Sequence, residues 1–305
     1  MPSNAPGNSG STELPVTSAT LDAKILIVSA DGTEPVLGAI RQAADYEGIP
    51  YTLYIANRTP GGFTPSTLSD GDRHAFYQGI VLTTGTLAYN NGGTWTSAFN
   101  TSEWQTLWDY QAKYRVRTAI AYAFPTADLG YGPATGVDAT TTPISASLTS
   151  TGRTMFSYVN AANPIVITRA WTYLAPAAGT GTNVLLNDPQ QHALALVKTY
   201  PDGRQVLSTT FDGNFFLIHS LALSHGVMNW VTEDCSWENA TSTWRRRSTT
   251  SSSTTTSTGW DLPHQRGRLG SSRRLANSET SAIPDVGPAS PHGVQRRGHD
   301  RDLQP

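Results

Sequence analysis

Lys24-Ile25-Leu26-Ile27-Val28-Ser29 and Tyr51-Thr52-Leu53-Tyr54-Ile55-Ala56 bracket one helix-patterned stretch, and that unit decides the fold. The first segment is a near-continuous apolar run, as in a strand buried on both faces. It stops at Ala30-Asp31-Gly32, where Thr33 is expected as an N-cap and Pro35 falls in the first helical turn. Val36, Ile40, Ala43 and Ala44 share a face of the helix, and Gly48 is its stop. The second segment is β-branched and aromatic. Two strands joined by such a helix predict a parallel pair with a right-handed crossover. Ligands of such a sheet are expected near the carboxyl ends of its strands.

Outward from this unit, Thr59 to Asp72 reads as a Pro/Gly/Ser loop and Gly79 to Gly85 as a third buried strand. The polar stretch up to Asn100 predicts a long loop. A helix opens at Ser102, with Gln105 at capping-box spacing and Trp104, Leu107, Trp108 and Ala112 as its apolar face. Thr118 to Phe124 is a fourth strand, closed by Pro125. From about 130 to 187 the texture changes. Pro143–Leu148, Thr154–Val159 and Pro164–Thr168 are short runs between turn residues, predicting an antiparallel, sandwich-like insert. Ala193–Tyr200 and Gln205–Phe211 flank Pro201-Asp202-Gly203-Arg204 as a hairpin, and Asp212 to Trp230 reads as a helix.

Composition narrows the function. Charged residues are only 14% of the chain and the formal charge is -2, which predicts no nucleic-acid partner and no pull toward an anionic membrane. No apolar run reaches the length of a membrane-spanning helix. Met1 to about residue 21 reads as a flexible leader without a secretory signal. Cys235 is the sole cysteine, which rules out an internal disulfide and a multi-cysteine zinc site. Past Val231 the patterning ends. Ser248–Thr258 is almost pure Ser/Thr, and arginine clusters follow without apolar periodicity, so residues 232–305 are expected to be a disordered tail. Back-translation of Cys235 to Trp260 admits a neighbouring frame with a strand-like run leading into paired aspartates. The expectation is a single-nucleotide frameshift near Thr232 that truncates the protein.

These segments resemble a known family. Lys24 to Ser29, Gly48-Ile49-Pro50-Tyr51, Gly79-Ile80-Val81-Leu82, Ser102-Glu103-Trp104-Gln105-Thr106-Leu107 and Met228-Asn229-Trp230-Val231 are similar to the N-terminal region of secreted exopolysaccharide deacetylases of the galactosaminogalactan deacetylase type. The resemblance covers roughly residues 22 to 231. It implies a non-catalytic region with a carbohydrate-binding module, an amino-sugar polymer as partner, secretion, and a divalent metal held in a catalytic domain absent from this chain. No cofactor is expected in the chain itself, and a monomer is expected. The α/β half also looks similar to flavodoxin-like and class I glutamine-amidotransferase-like domains. Where active amidotransferases place a Cys nucleophile this chain has Leu82-Thr83-Thr84-Gly85-Thr86, without Cys or G-x-S-x-G. A degenerate amidotransferase-like scaffold is therefore the alternative function, and no catalytic residue is assigned.

Sugar rings dock on flat aromatic faces, while carboxylates and amides fix their hydroxyls. The candidates are Phe156, Tyr158, Trp171 and Tyr173 in the β-rich insert, with Tyr131 at its entrance. Alternation puts Trp171 and Tyr173 on one side of a strand, and Phe156 and Tyr158 likewise. Asp31 and Asp212 follow strands at the expected crevice; the competing reading of each is a helix-capping or turn role. His219 and His225 are six residues apart, off the i,i+4 spacing of helical metal pairs, and His74 and His192 are isolated, so no metal site is assigned.

Overall fold

The computed structural model describes residues 20–71 and 73–232. The expected leader up to residue 19, the tail from 233 onward and the frameshift reading lie outside the described residues. Nine strands form the main sheet: β1 Ile25–Ser29, β2 Tyr51–Ile55, β3 Gly79–Leu82, β4 Arg117–Ile120, β5 Ile144–Leu148, β6 Ile165–Ile167, β7 Thr182–Asn187, β8 Ala193–Thr199 and β9 Gln205–Thr209. Across the sheet they run β6-β5-β7-β8-β9-β4-β3-β1-β2. The pairs β1–β2, β1–β3, β3–β4 and β4–β9 are parallel, and every pair from β9 to β6 is antiparallel. Counted in chain order, the parallel strands are arranged 2-1-3-4-5.

Besides a single turn at Pro65–Leu68, the helices among the described residues are α1 Pro35–Glu47, α2 Thr101–Tyr114, α3 Ser150–Met155 and α4 Ile218–Val231. The alternation of β1 explains its continuous apolar run. Ile25 and Ile27 enter the layer built with α1 and α4, while Leu26 and Val28 enter the layer beneath α2. The end of α4 presses onto β3 at Gly79, where an added Cβ would sit 2.3 Å from Val231 Cγ1 and 2.6 Å from its carbonyl oxygen. A side chain there would wedge the helix off the sheet.

Several expectations are corrected. The insert is not a sandwich; β8 reaches the edge of β9 by an antiparallel hairpin, and β7, β5 and β6 add to β8 in turn, so the insert extends the main sheet. Thr154–Val159 is not a strand. Thr149 accepts a hydrogen bond from Gly152 N at 3.0 Å and caps α3, which ends at Met155. The stretch before Asn100 holds a hairpin, Ala88–Asn91 against Thr94–Ser97, turned by Gly92 and Gly93, both with positive φ. Helix α2 begins one residue early: Asn100 caps Glu103 N, and the Glu103 carboxylate returns to Asn100 N at 2.9 Å. Ser102 and Gln105 play no such part, and Trp108 faces outward. The last helix starts at Ile218, not Asp212.

Thr33 is not the cap of α1 either. Glu34 holds that position without capping its own helix. Its carboxylate reaches back to accept from Ala30 N at 2.6 Å, Thr83 Oγ at 2.8 Å and Ser29 Oγ. One side chain thereby ties together the carboxyl ends of β1 and β3. Asp31 closes a local turn by accepting from Thr33 N and Oγ at 2.8 and 2.7 Å. Glu34→Ala is expected to cost about 1.5–3 kcal/mol in urea unfolding, because it strands donors beneath α1. Asp31→Ala, at an exposed turn, is expected to cost under about 1 kcal/mol.

Candidate functional site

The carboxyl ends of β4 and β9 gather the groups that a ligand would meet. Past β4 the chain bends at Ala121-Tyr122; Ala123 is buried, and Tyr122 is half-buried and Phe124 exposed. Thr209 holds this extension to β9, its Oγ donating to Ala121 O at 2.7 Å while Ala123 N donates to Thr209 O at 2.8 Å. A two-stranded ribbon, Thr135–Asp138 against Trp171–Leu174, then lies across the end of β9. Tyr173 N donates to Thr210 O, and Asp212 N to Trp171 O, each at 2.9 Å.

In the ribbon Thr172 points inward and is fully buried, leaving Trp171 and Tyr173 on the outer side. The Trp171 ring lies against Gly136 of the opposite strand, whose missing Cβ makes room for it; an added one would come within 2.8 Å of the ring. The outward rings meet those of β4. Tyr122 and Tyr173 stack with centroids 5.9 Å apart and planes 16° from parallel, and Phe124 stands edge-on to Tyr173 at 5.0 Å. Trp171 is 48% and Phe124 56% exposed, so flat apolar faces remain open here.

Asp212 sits at this rim with its Oδ1 accepting from Gly213 N at 2.7 Å. Burial pushes its carboxyl above the usual range, with the Gly213 N–H opposing. Burial first, then the Tyr173 hydroxyl beside it, pushes the Tyr122 phenol up, and the Asp212 charge adds to this. Burial thus disfavours the charged form of each group.

Of the residues singled out from sequence, the structure brings together Trp171, Tyr173 and Asp212, with Tyr122 and Phe124 as members that the sequence reading passed over. Their signal was the Tyr-Ala-Phe run past the apolar part of β4. Phe156, Tyr158 and Tyr131 lie apart from this rim. Phe156 is buried in the core. Tyr158 is tied to α4, its hydroxyl donating to Ala222 O at 2.9 Å and accepting from Gly226 N at 2.8 Å. Tyr131 is buried beneath the sheet, its hydroxyl 3.0 Å from Ser208 Oγ. Asp31 stays in its own turn. Thr84, at the place of an amidotransferase nucleophile, has an Oγ without any hydrogen-bond partner, and Thr83 beside it is taken up by Glu34.

Phe124 also lines a neighbouring cleft of about 550 Å³ on the α2 side of the sheet. Trp104 and Trp108 stand on its wall, stacked at 6.2 Å. The Arg204 guanidinium covers the Tyr200 ring at 4.5 Å and lies 5.5 Å from that of Trp108, with its Nε 2.6 Å from the Asp202 carboxylate. Among the described residues no group of three or more His, Cys, Asp or Glu is placed to hold a metal ion, and no helix is long and apolar enough to cross a membrane.

Comparison with known proteins places these features in context. The family model described as Agd3 CBM87 matches residues 21–230. No curated protein matches the chain. Among solved structures it is similar to the crystal structure of Agd3, described as a novel carbohydrate deacetylase, with 20% identity and a TM-score of 0.61 over 70% of this chain and 33% of that one. The chain thus spans about a third of the length of that relative. The crystal structure of SMU.1228c is 13% identical, with a TM-score of 0.46 over 68% of this chain and 99% of that one. A glutamine amidotransferase from Thermotoga maritima is 9% identical, with a TM-score of 0.34 over 75% and 86% of the two chains.

The Asp212 environment sets a pH dependence. Its folded carboxyl titrates above the unfolded one, so its contribution to stability is present below the ordinary carboxylate range and is lost as pH rises through the raised value. Asp212→Asn is expected to have a higher urea midpoint than the parent at about pH 7, with the gain gone at about pH 3. An equal gain at both would mean that the carboxylate carries no burial cost.

Proposed function

The chain belongs to the Agd3 CBM87 family, and from that premise we propose that it is a polysaccharide-binding region of an extracellular exopolysaccharide deacetylase. Its partner in this reading is an amino-sugar polymer. The observation that carries the proposal is the open aromatic rim of Trp171, Tyr173, Tyr122 and Phe124 with Asp212 beside it. Pyranose rings present apolar C–H faces that rest on aromatic faces such as Trp171, while Asp212 and the Tyr122 hydroxyl are of the kind that fixes sugar hydroxyls. Rigid rings with few rotatable bonds lose little entropy when they bind.

The rim lies beyond the carboxyl ends of β4 and β9, the side of a parallel sheet on which open α/β folds take their ligands. Deacetylation and its divalent metal belong, in this reading, to a further domain like that of the longer relative. A region that holds polymer beside such a domain raises the local concentration of substrate there. The alternative of a scaffold without glycan binding leaves the exposed Trp171 and Phe124 without a purpose.

The test is sedimentation with an insoluble amino-sugar polymer such as chitosan or chitin. The chain is expected in the pellet. Trp171→Ala is expected to weaken binding at least about tenfold, the loss of a central aromatic contact of about 2 kcal/mol, with the unfolding midpoint little changed. Gly136→Val, which evicts the Trp171 ring from its seat, is expected to act in the same direction. A folded chain that binds no glycan would leave the scaffold reading in its place.

A further inference from the structure

Helix α4 is apolar on more than one side, and only one side is covered. Leu223, Met228 and Val231 are buried in the core layer with Ile25 and Ile27 of β1, whereas Ile218 and Leu221 face outward, Ile218 being 80% exposed. A helix that is apolar all round is ordinarily covered all round. The loop leading into it adds Phe215 and Phe216, their rings 3.9 Å apart, with Phe216 77% exposed. Tyr46 of α1, 81% exposed, completes the patch, sharing one groove with Phe215 and another with Leu221. At about 200 Å² for a large side chain, these residues present on the order of 600 Å². That is the upper end for a monomer's largest patch, and most of the roughly 800 Å² per partner that a stable interface buries.

The shape and charge of this face say what covers it. Phe216 stands beside an open groove of about 510 Å³ lined by Gly38, Arg41, Asp45, Tyr46 and Phe215. Phe215 closes onto α1 at Gly38, where an added Cβ would come within 3.0 Å of its ring. A face that carries a knob and a groove side by side is complementary to itself under a two-fold rotation. Its charges have the same property. Arg41 is steadied by its Nε, which donates to Tyr51 Oη at 3.2 Å. Asp45 lies one turn further along the helix. Neither its carboxylate nor the Arg41 Nη groups have a hydrogen-bond or ion-pair partner among the described residues. With α1 laid antiparallel on α1 of a second copy, each Arg41 faces the other copy's Asp45, in both directions at once. A partner of a single charge would leave one of these two ions unmatched.

We propose that this face joins two copies of the chain about a two-fold axis, with Phe216 of each copy seated in the groove of the other and Arg41–Asp45 pairs at the edge. The pairing departs from the monomeric state expected from the sequence. It goes beyond the glycan reading and does not rest on it. Phe215 and Phe216 follow Asp212 in the same loop, so each copy brings its aromatic rim beside the interface, and a polymer of repeating units can engage both rims.

The test is sedimentation velocity on the full chain from about 1 to 100 µM. A species of twice the chain mass is expected at the upper end, dissociating on dilution. Phe216→Asp, at an exposed position, is expected to weaken pairing at least about thirtyfold, the loss of a central anchor, with the urea midpoint unchanged. Arg41→Glu and Asp45→Arg each set like charges face to face, and each alone is expected to pair at least about tenfold more weakly. An equimolar mixture of the two is expected to recover the dimer, because each supplies the charge that the other lacks. A single chain mass at every concentration overturns the pairing and leaves the face to a further domain of a longer protein. Association that survives Phe216→Asp, or a mixture that recovers nothing, overturns it as well. The glycan reading is decided separately, by sedimentation of the chain and of Trp171→Ala with polymer.

Discussion

Strand β9 is satisfied on its two edges by partners of opposite direction, and the site depends on that. On one side it pairs parallel with β4, on the other antiparallel with β8. Every main-chain donor and acceptor of a buried strand needs a partner. A parallel neighbour would require another crossover, whereas β8 arrives through the Pro201-Asp202-Gly203 turn. The sheet therefore changes direction at β9. Just past its end, Thr210 to Asp212 still have main-chain groups to satisfy. Thr210 N turns to Leu194 O, and Thr210 O and Asp212 N to the Trp171–Leu174 strand. The aromatic rim is the product of that accounting: backbone left over at the end of β9 recruits the ribbon, and the ribbon carries Trp171 and Tyr173 to the rings beyond β4.

Much of this was legible in the residues. Long apolar runs located the central strands because burial on both faces demands them, and the β8–β9 hairpin was marked by its turn chemistry. Alternation also placed Trp171 and Tyr173 on one side of a strand, since Thr172 is the residue that turns inward. The failures have physical causes. Thr154–Val159 is rich in β-formers, but Thr149 caps a helix ahead of it and tertiary contact with α4 decides the outcome. The insert looked separate because its strands are short and broken by turns; it joins the main sheet where β7 pairs with β8, and β5 reaches β7 only across the intervening α3 and β6. Glu34 was missed because Thr33 beside it was read as the cap, and its real partners, Ser29 and Thr83, lie at the ends of two different strands.

Buried and half-buried polar groups take two forms among the described residues. Glu34 and Glu103 have their carboxylates occupied by backbone and hydroxyl donors, which pin the starts of α1 and α2 to the sheet and to the Phe63 loop. Such groups specify one arrangement of elements and have little left to offer a ligand. Asp212 and Gln111 differ. Asp212 takes a single backbone donor and is held partly buried against its preference, and Gln111 leaves an acceptor empty. Asp212 lies beside the open rings of the rim, whereas the amide nitrogen of Gln111 still ties α2 to β4 through Thr118.

Phe124 joins the two halves of this surface, because it stands against Tyr173 at the rim and also lines the Gln111 cleft. The ribbon across the end of β9 and the α2 side of the sheet therefore meet at a single ring, whose position is set from both sides at once: Tyr173 meets its edge, and the walls of the cleft bound its face.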